Sequence, residues 1–323
     1  MCTAICVTNK NFYFGRNLDY EHTFGEKVTI TPRFFPFSFL NSKEIKKHYA
    51  IIGMALPYNN YPLYFDATNE MGLSVAGLNF PDNAKYEKCN PNKDNVASFE
   101  LIPWILCKCA TINEAKTLLE EINITNEPIS ATLPPTPLHW LIADRDKSLT
   151  VEQTHNGLKV YENPVGVLTN NPTFDIQMFN LSNYMNVSPK EPQNRFSDKI
   201  ELKTYSRGMG GLGIPGDLSS MSRFIRASFT KLNSVYGDSE EETVNQFFHI
   251  LYSVYHQKGC VMVGDSYEIT NYSSCCNADK GVYYYTTYNN HTVRAVDMHK
   301  ENLDTDKLIT FDISQNVEFN MQN

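Results

Sequence analysis

The sequence has no long hydrophobic run and little positive charge. None of its 323 residues lies in a stretch that approaches the roughly 20 apolar residues needed to span a bilayer. The N-terminus also lacks a basic region followed by an apolar segment. Lys and Arg number 28 against 36 Asp and Glu, and the formal charge of -8 opposes binding to nucleic acids. We therefore predict a cytoplasmic protein whose partners include neither a membrane nor a nucleic acid.

Familiar motifs of metal, phosphate and serine-hydrolase sites are also missing. The sequence contains no CxxC or HExxH spacing, no GxSxG segment, no phosphate loop and no dinucleotide fingerprint. The cysteines are scattered through a long chain without an export signal, so we expect reduced thiols at Cys2, Cys6, Cys89, Cys107, Cys109, Cys260, Cys275 and Cys276. We predict no metal site.

Strands joined by tight turns make up much of the chain. Hairpin signals centre on residues 9–10, 69–72 and 289–290. Helical patterns interrupt the strands twice, at 98–122 and at 219–255. This order favours one α+β domain over residues 1–323, with two antiparallel sheets and helices on their outer faces.

A cysteine directly follows the initiator methionine. Aminopeptidases remove Met1 readily when the next side chain is small, so we expect Cys2 to become the N-terminus, with a thiol and a free α-amine on one residue. A second interpretation stays open, because residues 2–7 read CTAICV and are mostly apolar on both alternating faces, as in a buried strand. In that case Cys2 only packs, as we expect Cys6 to do.

The hairpin at residues 9–10 brings polar residues to Cys2. A two-residue turn places Cys2 opposite Asn17, and a three-residue turn moves this register by one. In either register, Arg16 and Asp19 lie beside the N-terminus. There the α-amine can take the thiol proton, Arg16 favours the thiolate and Asp19 can orient the amine. The alternative is a surface ion pair between Arg16 and Asp19 that has no catalytic role.

Internal cysteine and histidine residues form no competing nucleophile site. One histidine, at position 249, falls within an apolar helical pattern. We interpret every histidine as structural or solvated: His22, His48, His139, His155, His249, His256, His291 and His299.

Five blocks, in order along nearly the whole chain, resemble the choloylglycine hydrolases. They are MCT at 1–3, FGRNLD at 14–19, GLNFP at 77–81, LTNNP at 168–172, and PGD at 215–217 with SRF at 222–224; a YYYTTY hairpin at 283–288 ends the match. These N-terminal nucleophile hydrolases include conjugated bile salt hydrolases and penicillin V acylases. The resemblance implies a four-layer αββα sandwich, a homotetramer, and cleavage of an amide bond without a metal or organic cofactor.

The resemblance also implies roles for single residues. The matching positions are the nucleophile Cys2, the pair beside it (Arg16 and Asp19), the oxyanion-stabilising Asn79 and Asn170, and a further active-site arginine, Arg223. In that arrangement the thiolate attacks the amide carbonyl, the α-ammonium protonates the leaving amine, and water hydrolyses the thioester.

The GLNFP block resembles the bile salt branch of the family. The resemblance therefore favours glycine- or taurine-conjugated bile acids as substrates, and we expect their steroid to contact an aromatic set: Tyr20, Phe24, Tyr58, Tyr61 and Phe65. Core packing is the alternative for each of these rings. Arg207 lies in a segment that resembles the family's selectivity loop, where we expect it to favour the taurine sulfonate. Rival functions are a penicillin V or N-acyl homoserine lactone acylase, and a steroid-binding protein without turnover.

Overall fold

Two large antiparallel sheets form the centre of the protein. The computed structural model describes residues 1–131 and 133–323. Its strands are β1 (Cys2–Asn9), β2 (Asn11–Tyr20), β3 (Lys27–Thr31), β4 (Ile51–Tyr58), β5 (Tyr61–Asn69), β6 (Ser74–Asn79), β7 (Asp94–Ala97), β8 (Ile122–Thr125), β9 (Leu138–Ala143), β10 (Ser148–Thr154), β11 (Gly157–Glu162), β12 (Val167–Leu168), β13 (Met262–Val263), β14 (Ser266–Tyr267), β15 (Ile269–Asn277), β16 (Val282–Thr287), β17 (Arg294–Asp297) and β18 (Ile309–Asp312).

The helices fall into two groups that follow the sequence patterns. They are α1 (Leu101–Lys108), α2 (Ile112–Glu121), α3 (Phe174–Leu181), α4 (Ser220–Asn233) and α5 (Glu240–Tyr252), with 3-10 turns at Ser98–Glu100, Ser182–Tyr184, Met209–Gly211 and Met298–Lys300. The patterns at 98–122 and 219–255 correctly predict α1, α2, α4 and α5. They do not predict α3, which lies outside both patterns. Within the described ranges, no helix has both the length and the apolar character needed to cross a bilayer.

The layers stack in the order helices, sheet, sheet, helices. The first sheet has the strand order β12-β1-β2-β15-β16-β17 and the second has β11-β10-β9-β6-β5-β4-β3-β18. Helices α4 and α5 pack on the first sheet, and their apolar faces share one core cluster with the facing strands of both sheets. Helices α1 and α2 pack against the second sheet in a separate core cluster. The predicted αββα sandwich is therefore confirmed.

The first hairpin has the three-residue register. Cys2 pairs with Leu18 and not with Asn17, so of the two predicted registers the three-residue turn is the one that forms. The cause is Lys10, which takes a left-handed φ of 57° at the tip and lets Asn9 pair with Asn11. Because directly paired residues point to the same face of a sheet, the side chains of Cys2 and Leu18 share one face.

A break in the pairing of β4 with β5 changes the direction of side chains next to the first hairpin. The pairing of β4 with β5 shifts register between Met54 and Ala55, so that Phe65 has no partner. Phe65 packs against the core cluster between the two sheets, where Asp66 is also hydrogen-bonded to Tyr272. A bulge of this kind bends the strand and redirects side chains.

Candidate active site around Cys2

Cys2 lies at the start of a strand in the interior of the first sheet. Its side chain is buried, at 4% exposure, and its thiol is free. β1 runs between β2 and β12, and the short β12 ends two residues before Asn170. The main-chain N–H of Cys2 donates to Asn170 Oδ1 at 2.9 Å. Once Met1 is removed, this nitrogen becomes the α-amine of Cys2, and it already contacts the carboxamide oxygen of Asn170.

Asn170 joins the N-terminus to the second sheet. Its Nδ2 donates to the main-chain oxygen of Asn79 at 2.6 Å, at the end of β6. Its main-chain N–H donates to Ser220 Oγ at 2.8 Å, at the start of α4. The half-buried side chain of Asn79 makes no hydrogen bond with the residues that the structure describes. One N–H of Asn170 and the whole amide of Asn79 are therefore available to a substrate.

Arg223 reaches the same point from α4. The side chain is fully buried, and its Nη2 donates to Asn170 Oδ1 at 2.7 Å. Its Nη1 donates to the main-chain oxygen of Cys2 and, at 2.8 Å, to Thr3 Oγ1. Burial lowers the pKa of the Arg223 guanidinium, and nearby anionic groups, Asp19 first among them, oppose that effect. Arg223 thus positions both the main chain of Cys2 and the side-chain amide of Asn170, which faces the Cys2 nitrogen.

Arg16 approaches Cys2 from the side of the second sheet. It is fully buried, and its Nη1 donates to the main-chain oxygens of Phe65 at 2.9 Å and Gly77 at 2.5 Å. Burial opposes the charge on Arg16, but acidic neighbours led by the Cys2 thiol raise its pKa above the ordinary value. Its Nη2 has no hydrogen-bond partner within residues 1–131 and 133–323. A permanent positive charge therefore lies close to the thiol.

Asp19 holds the N-terminus through its main chain and faces a histidine with its side chain. Its N–H donates to the Met1 oxygen at 3.0 Å, and its carbonyl accepts from the Met1 ammonium at 2.7 Å. Its Oδ1 accepts from Thr270 Oγ1 at 2.6 Å, and its Oδ2 lies 3.6 Å from His256 Nε2. The main chain of Asp19 thus lies next to the Met1 amine, while its carboxylate faces Thr270 and His256 instead of an amine.

Sequence reasoning misses a buried acid and a histidine at this site. Glu268 Oε2 lies 2.9 Å from the Met1 ammonium, and Glu268 Oε1 lies 3.1 Å from His256 Nδ1. Nothing in the sequence signals the contact between Glu268 and His256, because the two residues lie on either side of a connecting segment and belong to no recognised motif. His256 is fully buried between two carboxylates, so of the two predicted roles it has the structural one and is not solvated.

A second buried histidine supports the segment that carries Asn170. His139 Nε2 lies 3.0 Å from the main-chain oxygen of Thr169, and its Nδ1 lies 3.1 Å from Glu152 Oε1. The ring also stacks on Phe80 with a centroid distance of 4.2 Å. This histidine is structural, as the sequence analysis predicts.

The structure brings three of the five predicted substrate-contacting aromatic rings together. Phe24 lies 4.8 Å from Tyr20 and 5.5 Å from Phe65 between ring centroids. These three half-buried residues form what we call the aromatic cluster. Because Arg16 is bonded to the main chain of Phe65, the aromatic cluster lies next to the Cys2 site.

The other predicted contact residues lie apart from the aromatic cluster. Tyr61 packs edge-on against Phe37 in the second core cluster, and burial raises the pKa of its hydroxyl well above the usual value. Tyr58 sits opposite Tyr61 at the end of the β4–β5 hairpin. Arg207 is exposed in the segment between α3 and α4. For Tyr61, core packing describes the ring better than substrate contact.

No group of three or more potential ligands from His, Cys, Asp and Glu could hold a metal ion in the part of the chain that the structure describes. The groups gathered at Cys2 are a thiol, a terminal amine, amide donors and two buried guanidinium groups. Such a set suits nucleophilic attack on an acyl group followed by stabilisation of an oxyanion.

Comparison with known proteins agrees with this chemistry. The choloylglycine hydrolase family of linear amide C-N hydrolases matches residues 2–311. The chain belongs to this family. A bile salt hydrolase/transferase from Lactiplantibacillus plantarum is 52% identical over 320 residues, which are 99% of each chain. A bile salt hydrolase/transferase from Clostridium perfringens is 37% identical over 330 residues, with 100% of each chain covered.

Two solved structures share the fold. The C2A mutant of the conjugated bile acid hydrolase from Clostridium perfringens superposes with a TM-score of 0.91 at 36% identity, and 100% of each chain is covered. Penicillin V acylase from Agrobacterium tumefaciens superposes with a TM-score of 0.76 at 20% identity, covering 97% of this chain and 91% of that one. The second likeness concerns the fold alone.

Proposed function

We propose that this protein hydrolyses the amide bond of glycine- or taurine-conjugated bile acids, with Cys2 as the nucleophile. The observation that carries the proposal is the convergence of Asn170 and Arg223 on the main chain of Cys2, from the loop after β12 and from α4. The names of the L. plantarum and C. perfringens relatives support bile acid conjugates as the substrate class.

The geometry supports a sequence of proton transfers at one residue. After Met1 is removed, the Cys2 amine takes the thiol proton and the thiolate attacks the amide carbon. The C–N bond breaks when the ammonium returns a proton to the leaving nitrogen, and a water molecule activated by the same amine then hydrolyses the thioester. Free amide hydrogens of Asn79 and Asn170 are suited to stabilise the oxyanion in both steps.

Replacing Asn170 with Ala is expected to lower kcat about 100- to 1000-fold, because an oxyanion donor and the acceptor for the Cys2 amine are both lost. Asn171→Ala is the matched control, since that half-buried side chain donates to the main-chain oxygen of Pro81 and not to Asn79. Circular dichroism should show that both variants are folded. Near-normal turnover by Asn170→Ala would contradict the assigned role.

Mass spectrometry of products from a mixed panel tests the substrate class. The panel contains taurocholate, glycocholate and penicillin V, together with an N-acyl homoserine lactone. Free cholate is the expected product. Phenoxyacetate or a fatty acid alone would indicate one of the rival acylases, and the absence of any product from protein that has lost Met1 would favour a binding protein without turnover.

A second activity, acyl transfer, is supported by the relatives' names, which include both hydrolase and transferase. An amine that attacks the thioester in place of water would yield a new amide and regenerate the free thiol. Adding a labelled amino acid to the same assay measures this reaction directly, as the ratio of labelled conjugate to free bile acid.

Replacing Arg207 with Ala is expected to lower the ratio of taurine- to glycine-conjugate cleavage by about tenfold, because a sulfonate would lose a charge-assisted hydrogen bond. Arg195→Ala is the control, since that residue is also exposed between α3 and α4. Initial rates on taurocholate and glycocholate give the ratio. An unchanged ratio in Arg207→Ala would reject this role.

Assembly and location are proposed with the function. We expect a homotetramer, which light scattering coupled to size-exclusion chromatography can measure. We also expect the protein in the cytoplasm, which cell fractionation can test.

A further inference from the structure

The Met1 ammonium occupies a built acceptor site beside Cys2. Glu268 Oε2 lies 2.9 Å from the ammonium nitrogen, and the carbonyl oxygen of Asp19 accepts a hydrogen bond from it at 2.7 Å. The Glu268 side chain is only 5% exposed. The amine is thus held by a nearly buried carboxylate and a main-chain oxygen, not by mobile surface groups.

The ring of His256 lies between the Glu268 and Asp19 carboxylates, on the far side of the acceptor site from Met1. Its Nδ1 lies 3.1 Å from Glu268 Oε1 and its Nε2 lies 3.6 Å from Asp19 Oδ2. The main-chain N–H of His256 donates to Thr270 Oγ1 at 2.9 Å, and that hydroxyl donates to Asp19 Oδ1. Burial raises the pKa of the Glu268 carboxyl, but His256 and the Met1 ammonium more than offset this, so its pKa lies below the ordinary value.

The position of this site relative to Cys2 follows from covalent geometry. Three bonds separate the nitrogens of Met1 and Cys2, so the two atoms are within about 4 Å of each other. In the proposed reaction, the leaving nitrogen must lie within hydrogen-bond reach of the Cys2 amine to receive its proton. The space that Met1 vacates is therefore next to the place where an amine is released.

We propose that Glu268 Oε2 and the carbonyl oxygen of Asp19 form an ammonium subsite, which Met1 fills before processing and the protonated amine product fills afterwards. The inference rests on the proposed function, because that reaction supplies the amine. When the amide C–N bond breaks, the Cys2 ammonium gives its proton to the leaving nitrogen. The released amine then takes a second proton from water and binds as the ammonium ion.

The subsite has a defined chemical preference. A carboxylate and a carbonyl accept N–H hydrogen bonds, so they favour a primary ammonium over a quaternary one of the same charge. An acid group on the ligand must point away from Glu268, because two anions repel. Methylammonium, which has no acid group, is therefore the sharpest probe, and tetramethylammonium is its matched control without N–H donors.

Inhibition of taurocholate hydrolysis by these two cations tests the subsite at constant ionic strength. In the mature protein, we expect methylammonium to inhibit at a concentration at least tenfold lower than tetramethylammonium. Glu268→Gln should reduce this difference to less than about threefold, because the charge-assisted hydrogen bond is lost while the Gln amide oxygen and the Asp19 carbonyl still accept N–H donors. Glu21→Gln should preserve the difference between the two cations. Glu21 follows the end of β2, and its Oε1 lies 3.9 Å from His22 Nδ1 and does not contact the Met1 amine. Equal inhibition by both cations in the mature protein, or a preserved difference in Glu268→Gln, overturns the proposal.

A binding measurement keeps the test independent of turnover. In Cys2→Ala protein that has lost Met1, methylammonium should raise the Tm more than tetramethylammonium does, because only the folded state binds it. Adding Glu268→Gln to that protein should reduce the difference in Tm. If the mature wild-type protein releases no bile acid, the proposed function fails, while the Tm difference still decides for or against the subsite. If Glu268→Gln shifts only the pH profile of kcat/KM and leaves the selectivity for methylammonium intact, Glu268 acts on the Cys2 amine and the subsite is rejected.

Discussion

Cys2→Ala is expected to lower turnover of conjugated bile acids by at least about 10⁴-fold while leaving the protein folded. The substitution removes the nucleophile but keeps the main-chain contacts, in which the Cys2 nitrogen donates to Asn170 and its oxygen accepts from Arg223. Alanine is also small enough for Met1 to be removed. Intact mass and release of free bile acid, measured on the same sample, test the prediction.

Cys6→Ala is the matched control for Cys2→Ala. Cys6 is a buried thiol on the same strand, and burial raises its pKa, which disfavours a reactive thiolate. We expect normal turnover from Cys6→Ala and a modest loss of stability from the smaller side chain. Retention of more than about 1% of wild-type turnover by Cys2→Ala would exclude Cys2 as the nucleophile.

Arg16→Met is expected to lower the free energy of unfolding by about 3 kcal/mol or more and turnover by about tenfold or more. The stability loss arises because two main-chain oxygens lose a buried donor and because Asp66 loses its nearest cation. The activity loss arises because the positive charge that favours the Cys2 thiolate is removed. Urea unfolding and initial rates measure the two effects separately.

The stability loss in Arg16→Met should depend on pH. Burial raises the pKa of Asp66, and Arg16 is the main group that opposes this rise. Without Arg16 the pKa of Asp66 rises further, so the folded state binds a proton that the unfolded state has lost. Stability then falls as the pH rises through that higher value, and the loss should be larger at pH 8 than at pH 5.

Arg294→Met is the control for the Arg16 experiment. Its ion pair with Glu318 joins side chains that are 38% and 48% exposed, so we expect a loss of about 1 kcal/mol or less. That loss should also depend little on pH between 5 and 8. A similar small loss in Arg16→Met would mean that Asp66 and the carbonyl oxygens find other partners.

Local patterns in the sequence were sufficient for much of the architecture. The alternation of strands and the turns predict the hairpins, and the spacing of apolar residues predicts four of the five helices in the described part of the chain. For the first hairpin the sequence leaves two registers that differ by one position, and the conformation of Lys10 selects between them. The placement of Arg16 and Asp19 beside Cys2 follows from the same hairpin.

Packing between distant segments decided the remainder of the site. Asn170 and Arg223 contact Cys2 across 168 and 221 residues of sequence, so only the docking of the β12 loop and α4 onto the first sheet brings them together. The motifs had identified both residues by resemblance, but not their bonds to each other. Motif reasoning missed Glu268 altogether, because a single carboxylate has no sequence signature until the fold places it on an amine.

By itself, the sequence determined the hairpin that brings two charged residues to Cys2 and the alternation of sheets and helices, because each depends on residues close together in the chain. The tertiary structure alone decided which aromatic rings lie near Cys2 and that Tyr61 packs in the second core cluster. It also decided that Glu268 contacts the N-terminal amine and that His256 lies next to Glu268. Those outcomes depend on how the layers pack, since burial, bulges and contacts between distant segments have no counterpart in a local pattern.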